Sequence, residues 1–155
     1  MLKRMMVQYG GAGLVVVMLA MGLLAGGNAG ADEPKGDAKS LQGTWTMLSY
    51  IDEGAADPQF DGAIQVFEGV NYRVEKGGKA IRKGDFKLDE SKSPKQIDLM
   101  PSIGPYKGKT LPGIYELKGD TLHTCFPEPG QPRPAKFTSE KGSGCSEVKY
   151  KRKGA

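Results

Sequence analysis

From Leu41 to Arg152 the chain alternates hydrophobic and polar residues in short runs, which are divided by Gly, Pro, Asn and Asp. Strict alternation over four to eight residues is typical of strands with one buried face. No window after Leu41 carries hydrophobic residues at the spacing of an amphipathic helix. The pattern therefore predicts an all-β domain of about eight or nine short strands.

Two tight turns indicate how neighbouring strands are joined. Gly77 and Gly78 supply the positive φ angles of a type I′ hairpin turn, and Gly119-Asp120 divides two further alternating runs. Sequential hairpins favour an antiparallel up-and-down barrel, because closing the sheet leaves no exposed edge strand. Gly84 falls inside a predicted strand, where glycine indicates a bend or bulge.

Alternation also predicts which side chains face the barrel interior. In the first strand it places Trp45, Met47 and Ile51 on one side. The inward-pointing residues that could line a pocket or fill the interior are Trp45, Val66, Tyr72, Val74, Phe86, Leu88, Ile97, Leu99, Tyr115, Leu117, Leu122 and Tyr150. An eight-stranded barrel is either filled by such side chains or holds one small ligand. The candidate pocket-lining residues are Tyr72, Phe86, Tyr115 and Tyr150.

The first 31 residues differ from the rest. Lys3 and Arg4 are followed by an apolar run over residues 14–24, and Ala29-Gly30-Ala31 offers small residues at a cleavage site. This order is typical of a secretory signal peptide; the alternative is a membrane anchor, but no stop-transfer charges follow. We expect residues 1–31 to be removed after Ala31 and the protein to be periplasmic or extracellular, with no membrane span in the mature chain. Residues 32–40 are polar and predict a flexible leader, and residues 41–153 form the barrel domain.

Charge argues against a nucleic-acid partner. Residues 1–31 hold two of the 22 basic side chains and none of the 18 acidic ones, so the formal charge falls from +4 to +2 on removal of the signal peptide. Such a balance does not favour binding to a polyanion.

Cys125 and Cys145 are the only cysteines. In an exported chain an even number of cysteines favours a disulfide, whereas two buried thiols are the alternative. If the last two long strands are paired, one cysteine ends a strand where the other begins the next, and antiparallel pairing would bring them level.

No arrangement of residues commits the chain to catalysis or to a cofactor or metal. His123 is the only histidine, so a catalytic triad or a His-rich metal site would depend on it almost alone. The adjacent carboxylates Asp52-Glu53 and Asp89-Glu90 lie in predicted turns, whereas general acid–base catalysis needs a desolvated or coupled carboxylate. We therefore expect a non-enzymatic protein without a cofactor.

Several short motifs together resemble a family of small exported domains of unknown function, described chiefly from planctomycetes and regarded as lipocalin-like. They span nearly the whole predicted domain and comprise Leu41-Gln42-Gly43-Thr44-Trp45, Phe67-Glu68-Gly69, residues 84–89, residues 93–99, residues 108–110 and residues 113–122. Cys125, Pro132-Arg133-Pro134 and Phe137 extend the resemblance, and Cys145 departs from it.

Gly43-Thr44-Trp45 is also similar to the Gly-x-Trp that opens the first strand of lipocalins. The resemblance implies that Trp45 closes one end of the barrel and that a basic residue of the last strand, here Arg152, packs on its ring. Such a cation–π contact contributes about 0.5–2 kcal/mol.

Three functions remain open. The first is an exported, monomeric binding module that holds a small apolar or amphipathic molecule. The second is a structural or interaction module whose loops or outer face bind an envelope protein, since loops on a rigid scaffold often carry binding residues. The third, an enzyme, would need a cleft with a strongly perturbed titratable group.

Overall fold

A computed structural model describes residues 33–155, and the predicted signal peptide over residues 1–31 lies outside them. One short α-helix, α1 (Gly36–Leu41), precedes the strands. The nine strands are β1 (Gly43–Asp52), β2 (Ala55–Ala56), β3 (Ile64–Glu68), β4 (Asn71–Lys76), β5 (Lys79–Asp89), β6 (Lys95–Pro101), β7 (Leu111–Lys118), β8 (Thr121–Pro127) and β9 (Cys145–Arg152). A single 3₁₀ turn, Pro58–Phe60, lies between β2 and β3.

The strands form one closed antiparallel barrel, which confirms the predicted fold class. Neighbours in the sheet follow chain order from β3 to β9, and β1 pairs with both β3 and β9. Eight strands make the wall, and the two-residue β2 adds to one end of β1. The tight turn at Gly77-Gly78 joins β4 to β5 with φ angles of 58° and 75°, as the turn chemistry requires.

The segment predicted as a flexible leader is partly helical, which corrects that prediction for residues 36–40. Three polar contacts hold the helix on the barrel. Asp37 accepts hydrogen bonds from Lys95 (2.5 Å) and from the Tyr115 hydroxyl (2.8 Å), and its backbone N–H donates to Glu90 (2.9 Å). The helix therefore docks because Asp37 has polar partners on β6, on β7 and in the turn after β5, while Leu41 at its end is buried in the core.

A bulge in β1 changes which of its residues face inward. The pairing with β9 shifts between Met47 and Ser49, which leaves Leu48 61% exposed. Beyond the bulge Tyr50 faces the interior and stacks on Phe60, with ring centroids 4.0 Å apart. Ile51 therefore lies on the opposite face from Trp45, contrary to simple alternation.

Gly84 stands where β5 passes closest to β6. It is paired with Pro101, and a Cβ at this position would collide with the backbone carbonyl of Met100. The glycine that indicated a bend in the sequence is therefore required by the close approach of two backbones.

Candidate functional site

The barrel has one closed end and one open end. At the closed end lie α1 and the turns that follow β3, β5 and β7, and Leu41 and Trp45 are fully buried beneath them. At the other end lie the Pro58–Phe60 turn and the long connections over residues 102–110 and 128–144. A cavity opens between these connections, so access to the interior is from this end.

The cavity is small and opens into a wider cleft. Its volume is about 50 Å³, and the whole cleft, including open solvent, encloses about 720 Å³. The lining residues are Met47, Tyr50, Phe60, Gln65, Tyr72, Val74, Arg82, Leu99, Pro101, Ile103, Pro105, Tyr106, Leu111, Phe126, Pro127, Glu128, Ser146, Val148 and Tyr150. Most are apolar or aromatic, with a few polar groups among them, which is the usual composition of a small-molecule site.

Two of the four predicted pocket-lining residues, Tyr72 and Tyr150, line this cavity. Burial raises the pKa of Tyr72 to about 12, although the positive charge of Arg82 opposes the shift. Burial likewise raises the pKa of Tyr150. Both phenols therefore stay protonated at neutral pH and can donate a hydrogen bond into the cavity.

The other two, Phe86 and Tyr115, are buried elsewhere, so their assignment to the pocket is wrong. Phe86 packs edge-to-face on Phe67, with ring centroids 5.0 Å apart. Tyr115 points toward the closed end, where its hydroxyl donates to Asp37. Both face the interior as alternation predicts, but alternation does not say how far along the barrel axis the cavity extends.

Gln65 and Arg82 are among the polar lining residues that were not predicted. Gln65 is paired with Trp45 on β1 and with Val74 on β4, and both of these residues face the barrel interior. On β3, therefore, Gln65 rather than Val66 points inward. Arg82 is paired with Val74 at a register shift of β4 and β5, which directs it inward. Neither residue type indicates an inward position. Only knowledge of which alternate residues of the neighbouring strands face inward would have predicted Gln65 and Arg82.

The closed end contains the contact that the lipocalin resemblance implied. The Arg152 guanidinium lies 4.3 Å from the centre of the Trp45 ring. It also donates hydrogen bonds to the carbonyls of Gln42 (2.9 Å) and Ser40 (2.5 Å), while the indole N–H of Trp45 donates to the carbonyl of Leu41 (2.8 Å). Trp45 and Arg152 therefore satisfy the free carbonyls at the C-terminal end of α1 and seal the barrel together.

The predicted disulfide is absent, because Cys125 and Cys145 are both free thiols. The two strands do pair, but Cys125 lies opposite Glu147 and Cys145 lies opposite Pro127, so the cysteines are offset by two residues rather than level. Burial raises the pKa of Cys125 to about 11, and its thiol donates to the carbonyl of Thr138 (3.3 Å). The thiol is therefore protonated and unreactive at neutral pH.

His123 is half-buried. It lies 2.7 Å from a carboxylate oxygen of Glu147 and stacks on Phe137, with ring centroids 4.2 Å apart. These contacts hold part of the connection between β8 and β9 against the outside of the barrel.

Within residues 33–155 no group of three or more His, Cys, Asp or Glu side chains is placed to hold a metal ion. No helix in the described part of the chain is long and apolar enough to span a membrane. Comparison of the chain with protein-family models, with curated proteins and with solved structures finds no match.

Proposed function

We propose that the protein is an exported, non-catalytic module that binds a small apolar or amphipathic molecule in the open end of its barrel. The observation that carries this proposal is the cavity between Phe60, Tyr106 and Glu128, which leads into the barrel interior. The opposite end is sealed by Trp45 and Arg152, so a bound molecule would enter and leave by one route.

The chemistry of the lining supports binding rather than catalysis. The charged lining residues are Arg82 and Glu128, and Glu128 is exposed. A general base needs a titratable group that is desolvated or coupled to a partner, and an arginine does not act as one. Burial raises the pKa values of the Tyr72 and Tyr150 phenols, so at neutral pH they stay protonated and orient a ligand by donating hydrogen bonds rather than acting as bases.

Membership of the exported lipocalin-like family is part of the same proposal. It is supported by the order of the sequence motifs and by the contact between Arg152 and Trp45. Export is supported by the charge and hydropathy pattern of residues 1–31. Sequencing the N-terminus of protein recovered from the cell envelope and medium tests cleavage after Ala31.

Binding is tested on protein expressed from the full chain and purified without detergent. Native mass spectrometry should reveal a co-purifying small molecule, and ligand-observed NMR should detect binding of benzyl alcohol, a compact neutral probe. Val74→Phe places extra volume in the cavity and should abolish binding. Val70→Phe makes the same change at a residue that is 57% exposed and should leave binding intact.

Absence of any co-purified mass, together with no saturable binding of the neutral probe, would refute the binding function. In that case a saturable partner from envelope extracts would support the alternative, an interaction module that uses the loops around the mouth.

A further inference from the structure

The arginine at the mouth of the cavity is held by aromatic rings. The Arg82 guanidinium carbon lies 4.6 Å from the ring centre of Phe60, 5.8 Å from that of Tyr50 and 5.7 Å from that of Tyr106. Three rings around one guanidinium fix its position while leaving the N–H groups at its edge free to bind an acceptor.

Arg82 differs from the other arginines of the described residues in having no acidic partner. Arg73 pairs with Glu68 and Glu75, Arg133 with Asp98, and Arg152 with Asp120.

Within residues 33–155 the Arg82 side chain forms no hydrogen bond or ion pair, and the residue is only partly exposed. A partly desolvated charge without an acceptor is unfavourable, so the site favours an anionic group of a ligand.

A second donor faces the same cavity. Gln65 is only 3% exposed, and its side-chain N–H₂ group has no hydrogen-bond partner. A buried donor without a partner is unfavourable, and an oxygen of a ligand would satisfy it. Gln65 and Arg82 both flank Val74, on the strands either side of it. Their backbones are therefore about 10 Å apart across the sheet, since neighbouring strands are about 4.8 Å apart.

We propose that the ligand is a compact organic acid whose carboxylate binds Arg82, whose apolar body lies over Val74, and whose far end carries an oxygen that accepts a hydrogen bond from Gln65. This rests on the proposed binding function and specifies its ligand class.

The cavity volume of about 50 Å³, within a cleft of about 720 Å³ that includes open solvent, favours a compact molecule over a long acyl chain. A single guanidinium with Glu128 on the same rim favours a monoanion over a doubly charged phosphate ester. The carboxylate of Glu128 opposes an anion, but it is exposed and therefore screened by water and salt.

Titration calorimetry with four probes tests the proposal: phenylacetate, its neutral analogue phenylacetamide, phenyl phosphate and palmitate. Phenylacetate should bind at least about tenfold more tightly than phenylacetamide, the effect of replacing neutral hydrogen bonds by charge-assisted ones. Phenyl phosphate and palmitate should bind more weakly than phenylacetate.

Variants identify the residue responsible. Arg82→Met should remove the preference for the acid while the neutral analogue still binds, and Arg82→Lys should retain only part of it because lysine lacks the planar fork. Glu128→Gln should tighten phenylacetate binding by a few-fold. Arg73→Met, an outward-facing arginine on the neighbouring strand, is the matched control and should leave the preference unchanged.

Equal binding of the acid and the amide to the native protein, or a preference that survives Arg82→Met, would overturn the assignment of a carboxylate ligand while leaving the binding function in place. A preference for phenyl phosphate or palmitate would overturn it in favour of those classes. If neither phenylacetate nor the neutral analogue nor benzyl alcohol binds, the binding function itself is refuted. If Arg82→Met does not fold by circular dichroism, Arg82→Lys and Glu128→Gln decide the matter.

Discussion

Replacing Arg152 by alanine should lower the free energy of unfolding by about 3 kcal/mol. The cation–π contact with Trp45, at 4.3 Å, contributes about 1 kcal/mol. The hydrogen bonds to the carbonyls of Gln42 and Ser40 would contribute more if fully buried, but the side chain is 29% exposed, so about 1 kcal/mol each is appropriate. The ion pair with Asp120 lies at the surface and adds less than about 1 kcal/mol.

Urea unfolding followed by Trp fluorescence measures this loss directly, because the only tryptophan is the residue that Arg152 covers. The loss corresponds to a fall of roughly 12 °C in Tm, at about 4 °C per kcal/mol for a domain of this size. Arg152→Lys keeps the charge over the ring but not the two-pronged hydrogen bonding, and should lose about half as much.

Lys151→Ala is the matched control, since Lys151 is the exposed neighbour on the same strand and its loss should change stability by less than about 0.5 kcal/mol. The reasoning is refuted if Arg152→Ala is no more destabilising than Lys151→Ala, or if Arg152→Lys is as stable as the native protein.

Three further predictions follow from contacts elsewhere in the barrel. Burial acts to raise the pKa of Asp37, but the hydrogen bonds from Lys95 and Tyr115 outweigh it and lower the pKa. The lowered pKa adds to the free energy of unfolding above the unfolded pKa of about 3.9, and this contribution is lost as pH falls through the folded pKa. Asp37→Asn should therefore lose less stability than the native protein between pH 5 and pH 2 in urea titrations, and parallel curves would contradict this. Gly84→Ala should destabilise by about 1–3 kcal/mol in the same assay, because the new methyl group meets the carbonyl of Met100; an unchanged midpoint would exclude the close approach. Tyr72 should ionise near pH 12 in an ultraviolet titration, so the stability that comes from keeping its phenol neutral is lost as pH rises from about 10 to 12; a Tyr72→Phe difference spectrum that titrates near 10 would contradict its burial.

Strand alternation and turn chemistry were sufficient to predict the barrel, because each hairpin is encoded locally. They were not sufficient to predict which face of an individual strand points into the barrel. In β3 the run Ile64-Gln65-Val66-Phe67 can present either Val66 or Gln65 inward, and hydropathy favours the valine. The pairing of Gln65 with Trp45 decides otherwise, which is information from a distant strand.

The candidate site was harder to predict than the fold, since its main polar residues are placed by irregularities. The bulge at Leu48 turns Tyr50 inward, and the register shift between β4 and β5 does the same for Arg82. Bulges depend on the twist and closure of the whole sheet, so a pattern of period two does not reveal them. Helix α1 was missed for a related reason: six residues have little intrinsic helical stability, and the partners of Asp37 lie more than 50 positions away.

The pairing of β1 with β9 has a consequence for the order of biosynthetic events. Residues 145–152 form the strand that closes the barrel, and they supply the guanidinium that covers the Trp45 indole. The barrel therefore stays open until translation has passed Arg152. Until then β1 and β8 would each present a row of unsatisfied main-chain groups, which invite association with other chains. Contacts between such remote segments slow folding, and a chaperone that shields nascent strands should therefore raise the soluble yield more than one that acts on the finished molecule.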